Sequence, residues 1–158
     1  MSIVADPKEL LAGFGRSIGL ANVAFDDEDE ALLLFDAIAV RFLYDKERQL
    51  ILVSSPLVNH EVEPDLDVYA HLLELNLLGI LNGSGSIGLD RENQTVIFAN
   101  SISLIGLEQD RFNEFVNVSV DVIESWRQGL EAGGLKPATA ASAPNLLSGD
   151  DDVVATRV

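Results

Sequence analysis

Three glycines in the stretch "NGSGSIGLD", Gly83, Gly85 and Gly88, are spaced G-x-G-x-x-G. With that spacing a backbone can close around a pyrophosphate, provided the loop follows a strand and opens a helix whose N-terminal amides face the ligand. Here the order is reversed. The leucine-rich segment "DLDVYAHLLELNLLGIL" (65–81) reads as a helix that runs into the glycines, and the strand-like "SIGLD" follows them. A helix C-terminus presents unpaired carbonyls and the negative end of the dipole, which repel phosphate. Gly83 therefore reads as a helix stop, with Gly85 and Gly88 permitting a turn and close backbone packing. No nucleotide is expected.

The other groups able to do chemistry are few. His60, Glu61, Glu63, Asp65 and His71 could ligate a metal, but their spacing matches no ligand pattern with a mechanical basis. They read better as loop residues, with Pro64 and Asp65 leading into the 65–81 helix. There is no cysteine, which rules out thiol chemistry and disulfides and suits a reducing cytoplasm. No Ser/His/Asp set can be justified, so no catalytic residue, cofactor or metal is expected. The runner-up reading is a small α+β enzyme or small-ligand-binding domain. It would have a pocket near His60 and His71, with polar groups from Glu61 and Asn76.

The elements that must position any site follow from hydrophobic periodicity. "ADPKELLAGFGRSIGLA" opens with Asp6 as a helix cap and Pro7 at the first helical position. Leu10, Leu11, Phe14 and Ile18 form one stripe, and Gly19 marks the stop. Gly13 and Gly15 weaken this helix by about 1 kcal/mol each relative to alanine, so it needs a surface to lie on. The charged turn "AFDDEDEA" leads to three strand-like runs, 31–35, 37–44 and 49–55. Their short polar spacers make an antiparallel meander, and "SPLVNHEVEPD" reads as a loop. In the first run both alternating sets are apolar, Leu32 and Leu34 against Leu33 and Phe35, so the sheet wants cover on more than one side. Helix 65–81 is apolar nearly all round from Leu72 onward, more than a single buried face requires. One of its sides is therefore expected to meet another copy of the chain. "SIGLD" and "TVIFA" form a hairpin around "DREN". Segment 108–131 is the longest helix, with Phe112, Phe115, Val116, Ser119, Val122, Ile123, Trp126 and Leu130 as its buried stripe.

The fold class is thus α+β, in the order α-β-β-β-α-β-β-α, with an antiparallel sheet packed against three helices. Residues 1–131 form one domain. Residues 132–158, rich in Ala, Ser, Pro and Gly and carrying an Asp-Asp-Asp run, are expected to be a flexible tail. The 158 residues include 26 Asp plus Glu against 10 Lys plus Arg, a net charge of −16. A field of that sign disfavours nucleic acid and anionic lipid as partners. The first residues lack the pattern of a secretory signal, and no apolar run reaches the ~18 residues of a membrane span. A soluble protein that stays where it is made is expected.

This ordered set resembles the class I type III secretion chaperones, the Tir chaperone (CesT-like) family, over about residues 5–131. The resemblance rests on "LLAGFGRSIGL", on the strand pair "LLLFDAIAVRFLYD", and on the block from "LLELNLLGILNGSGSIGLD" to the final helix with its tryptophan. The tail is longer than the family's usual core. The resemblance implies a bacterial cytoplasmic homodimer that binds the N-terminal segment of a secreted effector, keeps it non-globular and hands it to the secretion ATPase, without a cofactor. Apolar strands and helix faces suit that role, because they can take an extended peptide by side-chain pockets and strand addition. Expected effector contacts are Leu11, Phe14 and Ile18 of the first helix and Leu32, Leu34, Leu43 and Leu52 of the strands. The expected self-interface is Leu72, Leu75, Leu78 and Leu81, with Ile87 nearby.

Overall fold

The computed structural model describes residues 3–59, 66–135, 138 and 153–155. Helix α1 spans Pro7–Ser17 and is followed by strands β1 (Glu30–Phe35), β2 (Ile38–Asp45) and β3 (Leu50–Asn59). Helix α2 (Leu66–Asn82) comes next, then β4 (Ser86–Asp90), β5 (Thr95–Ser103), helix α3 (Gln109–Ala132) and a short β6 (Val153–Ala155). The sheet order is β4-β5-β3-β2-β1-β6. Strands β1 to β5 pair antiparallel, and β6 pairs parallel with β1.

Alternation along the strands sorts residues onto two faces. Leu33, Phe35, Val40, Phe42, Ile51, Val53, Val96 and Phe98 turn to one side and are buried. Helices α1 and α3 cover that side. The Phe14 ring lies 6.2 Å from Phe35 and 6.4 Å edge-on from Phe112, and Phe98 meets Trp126 edge-on at 5.6 Å. Phe112, Val116, Val120, Ile123 and Leu130 recur at three- and four-residue spacing, so one face of α3 closes the core. Helix α1 begins as its residues dictate: Lys8 N–H donates to the Asp6 carboxylate at 2.8 Å, with Pro7 at the first turn. Gly15 is needed for contact, since a Cβ there would crowd Val23. Its cost in helix propensity thus has a packing return.

Two of the strand turns share one construction. In "DKERQ" and "DRENQ" the aspartate accepts backbone amides, Asp45 from Arg48 at 2.9 Å and Asp90 from Glu92 at 3.0 Å and Asn93 at 3.1 Å. Each turn ends on a glutamine in the left-handed region, Gln49 and Gln94, both at φ 51°. The Asn93 side chain also donates to Asp90 at 2.8 Å. That amide first, and the Asn93 and Glu92 backbone amides after it, hold the Asp90 carboxyl below its ordinary value of 3.8. A depressed carboxylate supports the fold in full above its unfolded value and stops doing so as pH falls through its lower folded value. Following the Asp90 side chain by NMR from pH 6 downward should therefore give a midpoint below 3.8. Asn93→Ala should move that midpoint upward, and an unmoved midpoint would remove this account.

Strand β3 runs further than its sequence suggests. It continues through Pro56 to Asn59, with a register shift between Pro56 and Val58 against β5. The bulge frees the ladder of the missing proline N–H and leaves Leu57 and Val58 both fully buried. Residues after Leu130 also touch the body. Leu135 N–H donates to Leu130 at 3.2 Å, and Ala138, buried, donates to the Leu57 carbonyl at 3.2 Å. Within 132–158, the described strand β6 adds its backbone pairing with β1 to these two contacts.

Candidate functional site

The side of the sheet that no described helix covers is built by the strand residues of opposite parity. Cross-strand partners share a face, and the register places Glu30, Leu32 and Leu34 of β1 beside Leu43, Arg41 and Ala39 of β2. Leu43 then stands beside Leu52 and Arg41 beside Ser54 of β3, followed by Ser101 and Ala99 of β5 and Ser86 of β4. Leu32, Leu34, Leu43 and Leu52, expected from sequence as contact residues, are thus brought to one face, all half-buried. A Glu30–Arg41 ion pair lies among them, itself mostly shielded. Past Leu52 the side chains become small, Ser54, Ala99 and Ser101, so the surface dips. At the dip Leu52, Ser86, Ala99 and Ser101 meet Ile80 and Gly83 from the end of α2 and line an open cleft of about 250 Å³. An open cleft of mixed lining, with small residues beside Leu52 and Ile80, suits a side chain of an extended segment better than an enclosed small molecule.

The first-helix residues fall elsewhere. Leu11 and Phe14 have no exposed surface and belong to the core under the sheet, because the stripe read as a contact face is the one that docks onto α3 and Phe35. Ile18 is half-buried against the same core.

Helix α2 has two unlike sides. Leu72 and Leu75 lean on the core beside Ile87, and Asn76 accepts the Ile87 N–H at 2.8 Å. Gly79 is buried where a Cβ would overlap the Gly85 carbonyl and the Trp126 ring. These contacts fasten α2 to the β4 edge. On the far side Leu66, Leu73, Leu77, Ile80 and Leu81 form a stripe from 57% to 85% exposed, with Leu78 beside it at 55%. Of the five residues expected at a self-interface, Leu78 and Leu81 are exposed, whereas Leu72, Leu75 and Ile87 are partly buried against the chain's own core. Leu73, Leu77 and Ile80, not singled out from the sequence, complete the exposed stripe. Once Gly79 marks the buried side, a helical wheel centred opposite it selects these residues.

The glycine loop resolves as a helix stop. Gly83 is at φ 67° just past α2, and Gly85, at φ 126°, lies against Phe98. Gly88 departs from the expectation of close packing: it sits within β4, and nothing stands within 4 Å of where its Cβ would be. Of the runner-up pocket, His60 and Glu61 lie outside the described residues, as do Glu63 and Asp65. His71 is exposed on α2, and Asn76 is engaged with Ile87. Among the described residues no group of three His, Cys, Asp or Glu side chains is placed to hold a metal, and no helix is long and apolar enough to cross a membrane.

Comparison with known proteins places this geometry. A sequence model described as the Tir chaperone protein (CesT) family matches residues 9–127. No curated protein sequence matches the chain. Among solved structures, the ExsC-ExsE complex contains a chain 26% identical, with a TM-score of 0.69, covering 81% of this chain and 96% of that one. The HopA1-SchA chaperone-effector complex contains one 24% identical, with a TM-score of 0.66, covering 77% and 92%. YbjN from E. coli, a proposed transcription regulator, shares the fold at 19% identity, with a TM-score of 0.64 and coverage of 85% and 98%.

Proposed function

The chain belongs to the Tir chaperone protein (CesT) family, and from that premise we propose that it serves a type III secretion system by binding the N-terminal segment of a secreted effector. It holds that segment non-globular and competent for export, in the bacterial cytoplasm, without catalysing a reaction. The secretion ATPase is the acceptor to which such a complex is handed. The observation that supports this reading in the molecule itself is the uncovered sheet face. Leu32, Leu34, Leu43 and Leu52 share a face that no described helix covers, and the cleft beside Leu52 offers a place for an anchoring side chain. An extended segment lying there stays unfolded because its apolar side chains are already satisfied by the chaperone. The exposed stripe of α2 supports a homodimer, in which each copy covers the other's leucines and one effector segment crosses both sheets.

The test is capture. Immobilised protein incubated with extract of a bacterium carrying a type III system should retain a secreted protein whose first residues remain protease-sensitive when bound. Leu43→Glu combined with Leu52→Glu should weaken that binding at least tenfold, since burying each leucine is worth about 1.5–3 kcal/mol. The thermal melt should stay within a few degrees, because both side chains are already partly exposed. Capture of no secreted protein, or capture indifferent to these changes, would overturn the assignment.

A further inference from the structure

On the sheet face that no described helix covers, a charged pair sits among the leucines. By register Arg41 has Leu32 beside it on β1 and Ser54 on β3, and along its own strand Ala39 and Leu43 turn the same way. Its guanidinium donates through Nε to the Glu30 carboxylate at 3.0 Å and through Nη2 to the other Glu30 oxygen. The Arg41 and Glu30 side chains are only 24% and 14% open to solvent. A pair this shielded adds little net stability, since desolvation offsets its attraction. Its donors are not exhausted either. The Nη1 hydrogens and the second Nη2 hydrogen meet no acceptor among the described residues. Glu30 is held from behind by the acidic turn that precedes β1. The Asp26 carboxylate accepts the Glu28 and Glu30 amides at 2.9 and 2.8 Å, and the Asp26 N–H donates to the Glu30 carbonyl at 2.7 Å. The charged turn "AFDDEDEA" thus fixes the backbone from which Glu30 orients Arg41.

We propose that Arg41 sets the specificity of this face. It selects an extended segment that carries a neutral hydrogen-bond acceptor, the side chain of Ser, Thr, Asn or Gln, with apolar side chains two residues to either side. That the segment belongs to an effector rests on the function proposed above. A segment laid over Leu32, Leu34 and Leu43 takes the remaining water from Arg41. An apolar side chain at that point strands the free N–H groups, and an unsatisfied buried donor offsets much of what the apolar contact contributes. A carboxylate would answer those donors, but it would lie against Glu30 and the run Asp26, Asp27, Glu28 and Asp29 that precedes it. A lysine or arginine meets like charge in Arg41 itself. A neutral acceptor satisfies Arg41 and leaves its contact with Glu30 intact. Glu30 is a positioning residue: it holds the guanidinium in one plane and cancels its charge, so that the preferred acceptor is neutral instead of acidic. The leucines supply affinity, and the polar position supplies register. Sliding the segment by two residues would set an apolar side chain on Arg41.

The probe is a library of randomised peptides of about twelve residues, long enough when extended to cross the face, selected on the immobilised full-length chain. Wild type should enrich Ser, Thr, Asn or Gln at one position, with Leu, Ile or Val two residues to either side. Leu43→Glu should lose the selected peptides, which locates them on this face. Arg41→Met combined with Glu30→Leu replaces the pair by apolar side chains, so its melt should stay near that of the wild type, and it should enrich an apolar residue at the same position. Glu30→Gln keeps the shape of the pair but frees the Arg41 charge. It should shift the choice toward Asp and Glu, which a merely structural role for Glu30 would not do. In a synthetic peptide chosen by the wild type, replacing the acceptor by leucine should weaken binding to the wild type about tenfold and leave binding to the double variant equal or tighter. An apolar residue enriched there by the wild type would overturn the proposal. The same choice by wild type and Glu30→Gln would overturn the part given to Glu30. Both of those results leave the chaperone reading standing. No enrichment at all, or peptides that ignore Leu43→Glu, would overturn the proposal together with binding on the sheet face.

Discussion

Replacing Leu77 and Leu81 together by aspartate is expected to give a monomer that is as stable as the wild-type subunit and no longer binds an effector segment across two copies. The two positions are one helical turn apart on the exposed stripe of α2, 57% and 74% open to solvent. Each leucine covered by a second copy contributes about 1–2 kcal/mol from the area it removes from water. Four to six such side chains per copy are enough to hold a dimer at micromolar concentration, and two buried carboxylates facing their own symmetry mates are enough to prevent one. Because neither side chain supports the core, the thermal melt of the isolated subunit should hold or rise. Leu75→Asp, by contrast, strikes the side that leans on the core beside Ile87 and would confound folding with association. Light scattering of wild type and double variant at micromolar concentration is the measurement. A wild-type monomer, or a double variant that remains dimeric, would show that the stripe is not the self-interface.

The second large effect is expected at Gly85. Its φ of 126° lies where side-chain-bearing residues rarely go, and a Cβ would run into the Phe98 ring and stand 3.0 Å from the Ala99 carbonyl. Phe98 cannot yield, since it is fully buried against Trp126, which in turn fits against Gly79. Backbone strain of about 1–3 kcal/mol and overpacking of a similar size combine in Gly85→Val. The melting temperature should drop by roughly 10 °C or more for a domain of this size. Gly88→Val is the matched control: its Cβ would meet open space, so the melt should move by no more than a few degrees. A loop built for phosphate would behave differently, with Gly85→Val removing nucleotide affinity and leaving stability little changed. Melts of the two variants distinguish these outcomes, and equal melting temperatures would refute the packing account.

Local chemistry explains how much of this could be read beforehand. The order of helices and strands follows from periodicities that each segment carries by itself, from Asp6 and Pro7 at the start of α1 to the 24-residue amphipathic run of α3. The reversed sense of the glycine loop needed only the neighbouring segments. Both "D-x-x-x-Q" turns sit between apolar runs that announce a hairpin. That Leu32 and Leu34 share a face follows from strand residues two apart, but their alignment with Leu43 and Leu52 came from the register of β1, β2 and β3.

What only the tertiary structure decided is which apolar face meets the interior, and the reason is that both faces of several elements are apolar. In β1, Leu32 and Leu34 differ from Leu33 and Phe35 only in which side α1 and α3 occupy. In α1 the contact stripe and the core stripe were the same residues, and docking on α3 gave Leu11 and Phe14 to the core. In α2, hydrophobicity around the whole circumference held no direction until Gly79 found Trp126 and Gly85. The extension of β3 past Pro56 depended on a bulge against β5 that no local signal encodes. The placement of Val153–Ala155 depended on an open strand edge far away in sequence. The amino-acid sequence by itself determined the eight elements from α1 to α3 and their order; long-range packing chose the sides, since burial is a property of the neighbours an element acquires and not of the residues it contains.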